Sequence, residues 1–408
     1  MSAFAHPSPL ASAPPSRPLG ALERVWLVAD RAWPSFVNQL VVEGKGALDA
    51  DAWRAAVQAA SPLWPGARAR LHGALGWTRW VADGPLPRVV TLPDAWDGLG
   101  PAPFTESPLD PWRGPISEIV LLPTVGRVVI RTHHGAFDGR AAWAFSEDLG
   151  AALRGEPVRG AAFAGLSDVR LAGPGPSESA PAADASIPSF RPGAPRVAGT
   201  TWGRRSLGAV PGPVLPRVLA AFARAAFDPS GPAPVPASAT LRVSLPVDLR
   251  RHLPDGRACA NLTGFVRLSL TTASTAPNVA TALTHALSGG HELEPVRAAA
   301  PLQHLPIGPL AVLGRAAAAR ALRTGLASTS ASVSNLGRQD PAALAAPGFT
   351  PHRLFWIPPG GLGTPIFVTL TGNPDGVELV VGMARCLAGD GRLDALLDGM
   401  VAGVRSDG

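Results

Sequence analysis

Tyrosine is absent from this 408-residue sequence, lysine occurs once, at Lys45, and cysteine twice, at Cys259 and Cys386. Two cysteines so far apart assemble neither a disulfide framework nor a zinc ligand set. With one lysine, the formal charge of +6 is carried almost wholly by arginine. Those arginines are scattered, and no Lys/Arg run builds a phosphate-tracking patch, so no nucleic-acid partner is expected. Heavy use of Ala, Pro, Gly and Arg reads as a GC-rich coding background rather than a functional charge. No apolar stretch reaches the roughly 18 residues that a membrane span needs. The first twenty residues lack a basic start and a continuous apolar core, which excludes a signal peptide and leaves a cytoplasmic default. A Walker phosphate loop, a GxSxG elbow and HExxH are also missing, removing the common kinase, serine-hydrolase and zincin readings.

What is present is a chain 46% hydrophobic, enough for a large core and long enough for two domains. Residues 1–20 read as a disordered leader. Strand-like runs follow at Arg24 to Val28 and Gln39 to Val42. A helix comes next, capped by Asp49, with Trp53, Ala56, Val57 and Ala60 on one face. Arg68 to Leu71 and Trp77 to Val81 form a hairpin pattern, and a strand falls near Val89 to Leu92. Ile116 to Leu122 and Arg127 to Thr132 are β-rich runs joined by a turn at Gly126. A helix through Trp143 and Leu149 ends at Gly155 and Pro157. Residues 173–198 are Pro/Gly/Ser/Ala-rich without periodicity and read as a linker between lobes of 21–172 and 199–408. Beyond it, strands are expected at Trp202 to Leu207, Thr240 to Leu245, Gly264 to Leu270, Ser330 to Ser334, Ile366 to Leu370 and Val377 to Val381. Helices are expected at Leu215 to Ala226, Val279 to Leu287, Leu310 to Leu322 and Leu393 to Val404. Without strict βαβ alternation, this predicts α+β layers in each half.

The chemistry gathers at His133-His134-Gly135-Ala136-Phe137-Asp138-Gly139. Side chains alternate along a strand, so Val128, Ile130, Thr132 and His134 share one face and Val129, Arg131 and His133 the other. One histidine therefore faces a channel while its neighbour packs. The same divergence argues against a metal site on His133, His134 and Asp138. Asp138 caps the next helix or pairs with an arginine. Gly139 allows positive φ or close backbone approach. A neutral imidazole at a strand end can take the proton of an attacking hydroxyl or amine.

The pattern HHxxxDG, here HHGAFDG, resembles the signature of the CoA- and carrier-dependent acyltransferase superfamily, which includes nonribosomal-peptide condensation domains and polyketide-associated acyltransferases. Three further segments resemble that family in the same order: Ser61-Pro62-Leu63 to Arg68-Ala69-Arg70-Leu71, Leu245-Pro246-Val247-Asp248-Leu249-Arg250 with Asn261-Leu262-Thr263-Gly264, and Ser334-Asn335-Leu336-Gly337. The resemblance runs from about Val25 to the C-terminus. It implies two chloramphenicol-acetyltransferase-like lobes forming a V around a central tunnel. His134 would meet the acceptor nucleophile as general base or positioner, and His133 would be structural. Asp138 would pair with Arg68 as first choice or Arg250 as second, with Gly139 in support. Asn335, Ser334, Gly337 and Asn261 would touch substrate. PLWPGARARL departs from the charged segment of peptide-synthetase domains, and the 408 residues carry no attached carrier or adenylation region, so a freestanding tailoring or chain-releasing enzyme is expected.

The expected activity is transfer of an acyl group from a CoA or carrier-protein thioester to a hydroxyl or amine in natural-product biosynthesis. Its acceptor would be a small molecule, with an acyl or peptidyl carrier protein as possible partner. No metal or redox cofactor is expected beyond the acyl-CoA or phosphopantetheinyl co-substrate. The alternatives are a catalytically silent carrier-docking protein, or the same tunnel running cyclisation, dehydration or epimerisation.

Overall fold

The computed structural model describes residues 13–33, 35–177, 184–193, 197, 199–253, 256–360 and 364–406. Among them lie two principal sheets, each covered by helices. The five-stranded sheet runs in the order Phe349–Ile357, Val37–Gly46, Arg127–His133, Ser117–Leu122, Arg88–Thr91. The six-stranded sheet runs Thr263–Leu270, Leu241–Asp248, Ala331–Arg338, Ile366–Asn373, Gly376–Ala384, Thr200–Gly208.

In the first half, Leu40, Val42, Val128 and Ile130 meet Trp53, Val57, Phe145 and Leu149 from the helices Ala50–Ala60 and Gly139–Leu153. Asp49 caps the first of these helices through the amides of Asp51 and Ala52. In the second half, the helices Val214–Phe227 and Arg392–Ser406 cover Val243, Val333, Val368 and Val381. The halves meet through Val41, Val129 and Phe355 against Trp202 and Val380. Arg204 seals that junction. It donates to Glu43 at 3.1 Å and to Glu378 at 2.6 Å, and its guanidinium carbon lies 4.0 Å from the Phe355 ring centre.

Four expectations are corrected. Arg24 to Val28 is not a strand but part of the helix Ala21–Ala32. Carboxylates fix its start: Asp168 accepts from the amides of Ala21 and Leu22, and Glu23 accepts from that of Gly20, a favourable place for negative charge. Residues 1–12 of the expected leader lie outside the described residues, but Ser16–Pro18 pairs with Arg79–Val81. Arg17 there forms a buried two-pronged ion pair with Glu23 at 2.7 and 2.6 Å. The expected linker lies partly outside the described residues. Within it, Ala185–Ser186 pairs with Leu326–Ala327, and Ile187 enters the second core. Finally, the second half is not contiguous in space: Phe349–Ile357 crosses to pair with Val37–Gly46.

Candidate active site

The strand Arg127–His133 lies between Val37–Gly46 and Ser117–Leu122. Beyond its end the chain folds into a tight turn, with the His133 carbonyl accepting from the amides of Ala136 and Phe137. The His134 amide donates to Phe36 O at 3.1 Å. His133 is fully buried. Its Nδ1 accepts from the Gly135 amide at 3.0 Å, which puts the ring proton on Nε2. That Nε2 lies 3.4 Å from the Asp30 carboxylate without the alignment of a hydrogen bond.

His134 faces a small cavity of about 140 Å³ walled also by Asp138, Arg140, Val247, Asp248 and Asn335. The ring packs on Phe36 and on Trp26, which also walls the cavity, with centres 5.1 and 5.3 Å apart, and those two rings stack on each other at 5.3 Å. Burial pushes its pKa down to about 4, although the carbonyls of His134 and Phe137 and the Asp138 charge oppose the shift. The imidazole is therefore neutral at neutral pH. Asn261 Nδ2 donates to His134 O at 2.6 Å and lies 3.0 Å from the ring Nδ1.

Asp138 does two jobs with its two oxygens. Oδ1 accepts from the Ala141 amide at 2.8 Å and caps the helix Gly139–Leu153. Oδ2 accepts from the Leu262 amide at 2.7 Å and from Arg250 Nη1 at 2.8 Å. Arg250 also donates to the carbonyls of Ala258 and Ala260 and to Asp248. Burial would lower its pKa, but the Asp138 and Asp248 carboxylates hold it above the usual arginine value. This buried clamp ties the histidine turn to the second half of the chain.

No protein-family model and no curated protein matches the sequence. Solved structures do resemble it over nearly the whole chain. One is the first condensation domain of the calcium-dependent antibiotic synthetase, in complex with a substrate analogue (16% identity, TM-score 0.61, covering 95% of each chain). Another is polyketide synthase associated protein 5 from Mycobacterium tuberculosis (14% identity, TM-score 0.59, 98% of this chain and 100% of that one). A third is the epimerization domain of the third module of tyrocidine synthetase B (14% identity, TM-score 0.57, 98% and 99%). The chain has the condensation-domain fold.

Within this condensation-domain fold, the partner of Asp138 is Arg250 and not Arg68. Arg68 ends a short 3-10 helix, Pro65–Arg68, and donates to Gly84 O at 3.0 Å. Gly139 has no positive φ, and a Cβ there would meet only the mobile end of one side chain, Leu336 Cδ2 at 2.6 Å. Ser334 and Asn335 reach the cavity wall, but the Asn335 Oδ1 accepts from the Gly337 amide at 3.1 Å. Gly337 does not line the cavity. Its φ of +74° makes the irregularity in the strand between Asn335 and Arg338. Asn261 contacts the ring and the carbonyl of His134 and does not line the cavity. Sequence reasoning missed Trp26, Asp30 and Phe36. Trp26 and Asp30 are four apart on one helical face, a signal hidden once that run is taken for a strand. Among the described residues no three or more His, Cys, Asp or Glu side chains converge on a metal position, and no helix is long and apolar enough to cross a membrane.

Proposed function

We propose that the protein transfers an acyl group from a thioester, carried by CoA or by a carrier protein, to the hydroxyl or amine of a small molecule in natural-product biosynthesis. The observation that carries this reading is the neutral, desolvated imidazole of His134 in a cavity wall at the end of its strand. The acceptor oxygen or nitrogen attacks the thioester carbonyl carbon, and His134 takes its proton on Nε2, in the tautomer that carries the ring hydrogen on Nδ1. The C–S bond then breaks, an ester or amide is formed, and the proton passes to the departing thiolate. His133 and Asp138 do not take part in the transfer: one braces the turn, the other locks it to Arg250. The condensation-domain likeness supports the reading at the level of fold.

Thiol release from short, medium and aromatic acyl thioesters, with amine and alcohol acceptors and product masses recorded, tests it. We expect release that falls at least 100-fold in His134→Ala. Full turnover in that variant would end the assignment. Tight carrier-protein binding without thioester consumption would instead mark a silent docking protein. Resemblance to an epimerization domain favours one second reading, a reaction without mass change, and the same product masses separate it.

A further inference from the structure

A second cavity of about 660 Å³ adjoins the one that His134 faces, and the two share Trp26, Phe265 and Phe367 as walls. Its one side is the helix Ala21–Ala32, from which Leu22, Val25, Trp26 and Ala29 present a stripe at i, i+3, i+4 and i+7. That spacing is the apolar face of an amphipathic helix, turned here towards a hollow instead of a filled core. Ala298 and Leu302 continue the apolar wall. Opposite stand the small side chains of Ser244 and Ser332, register partners on adjacent parallel strands. Ser332 Oγ already donates to Ser244 O at 3.2 Å, so the hydroxyl at the sheet face is satisfied and demands no polar ligand.

We propose that this chamber holds the aliphatic chain of the acyl donor, of medium to long length, and that Ala29 and Ala298 set how long a chain is accepted. The inference rests on the acyl-transfer reading. Volume favours a chain longer than acetyl or propionyl. At roughly 30 Å³ per water-sized group, the space takes on the order of twenty heavy atoms, far more than two or three carbons. Polarity decides which cavity takes the chain. The smaller one carries Asp138, Arg140, Asp248 and Asn335 and suits a compact polar acceptor, whereas the larger one sets its apolar helix wall against a more polar remainder that includes Arg267, Ser328 and Thr329. Adjacency does the rest. A chain lying along the stripe ends at Trp26, a wall common to both cavities whose ring centre is 5.3 Å from that of His134, so its thioester end lies where the chamber meets the cavity that His134 faces. Small residues at Ala29 and Ala298 leave the volume open, so a phenylalanine at either position fills it.

The test is kcat/KM for straight-chain acyl thioesters of C2 to C16, in wild type, Ala29→Phe and Ala298→Phe. Ala298 is exposed, so its variant keeps the test alive should the first misfold. We expect kcat/KM to rise with chain length in wild type, and the C12-to-C4 ratio to fall at least tenfold in either variant, because each methylene lodged in an apolar pocket is worth about tenfold or more. A flat wild-type profile, or a ratio unmoved in both variants, would overturn the chamber while leaving acyl transfer standing. Were no thioester consumed at all, acyl transfer would fall and calorimetric binding of the thioether dodecyl-CoA would decide. Binding weakened tenfold by either substitution supports the chamber, and no binding, or binding that both variants preserve, refutes it.

Discussion

At the scale of single residues, the site depends on charges taken out of water in matched pairs. Arg250 and Asp138 are both nearly inaccessible. Removing one member of such a pair strands the other, which typically costs about 3–5 kcal/mol. Arg250→Leu should lower the unfolding free energy by that amount in urea titrations, whereas Arg68→Ala, at a half-buried bond to a loop carbonyl, should cost about 1 kcal/mol. Equal losses would contradict the assignment. His134 adds a pH dependence whose sign follows from its pKa. The native ring stays neutral down to about pH 4, while the unfolded ring protonates near 6.5. Between these values the unfolded chain binds more protons, so stability falls as pH drops from 6.5 towards 4, by up to about 1.4 kcal/mol per unit from this group. His134→Gln removes that share, and a slope identical to wild type over this window would refute it. The motif was legible at this scale because strand alternation alone separates His133 from His134. The arginine was not, since Arg250 and Asp138 are 112 positions apart and only the folded sheets bring them together.

Elements explain where reading by pattern succeeded and failed. The helix Gly139–Leu153 was legible because its apolar spacing and its Gly155 stop agree. The helix Ala21–Ala32 was not, because Val25-Trp26-Leu27-Val28 is as good a strand run as a helix turn, and the carboxylates that cap it include Asp168, far along the chain. Gly150 offers a test of packing between elements. A mid-helix Gly→Ala change ordinarily stabilises by up to about 1 kcal/mol. Here the new Cβ would sit 1.9 Å from Ala343 O, where the turn Pro341–Leu344 presses on the helix. Gly150→Ala should therefore destabilise, by about 1–3 kcal/mol, as read from the denaturant midpoint. A gain in stability would refute the contact.

For the whole molecule, two halves were legible but their entanglement was not. Nothing in Phe349-Thr350-Pro351-His352-Arg353 announces a strand, and proline belongs there only because the strand is an edge with a bulge between Pro351 and Arg353. That strand and the Arg204 junction join the halves covalently and electrostatically. Scanning calorimetry should accordingly show one cooperative transition, with the calorimetric and van't Hoff enthalpies agreeing. Two separated transitions would mean that the halves unfold independently.

The crossing strand also sets a schedule for the nascent chain. Val37–Gly46 leaves the ribosome early, yet the segment that covers its free side begins at Phe349. At synthesis rates of about 5–20 residues per second, the intervening stretch of roughly 300 residues keeps that edge bare for about 15–60 s. An uncovered edge is a template for pairing with other chains. The sheet that carries the histidine turn is thus finished by a strand made roughly 300 residues after the one it covers, and a protein truncated before Phe349 would be released with that sheet open.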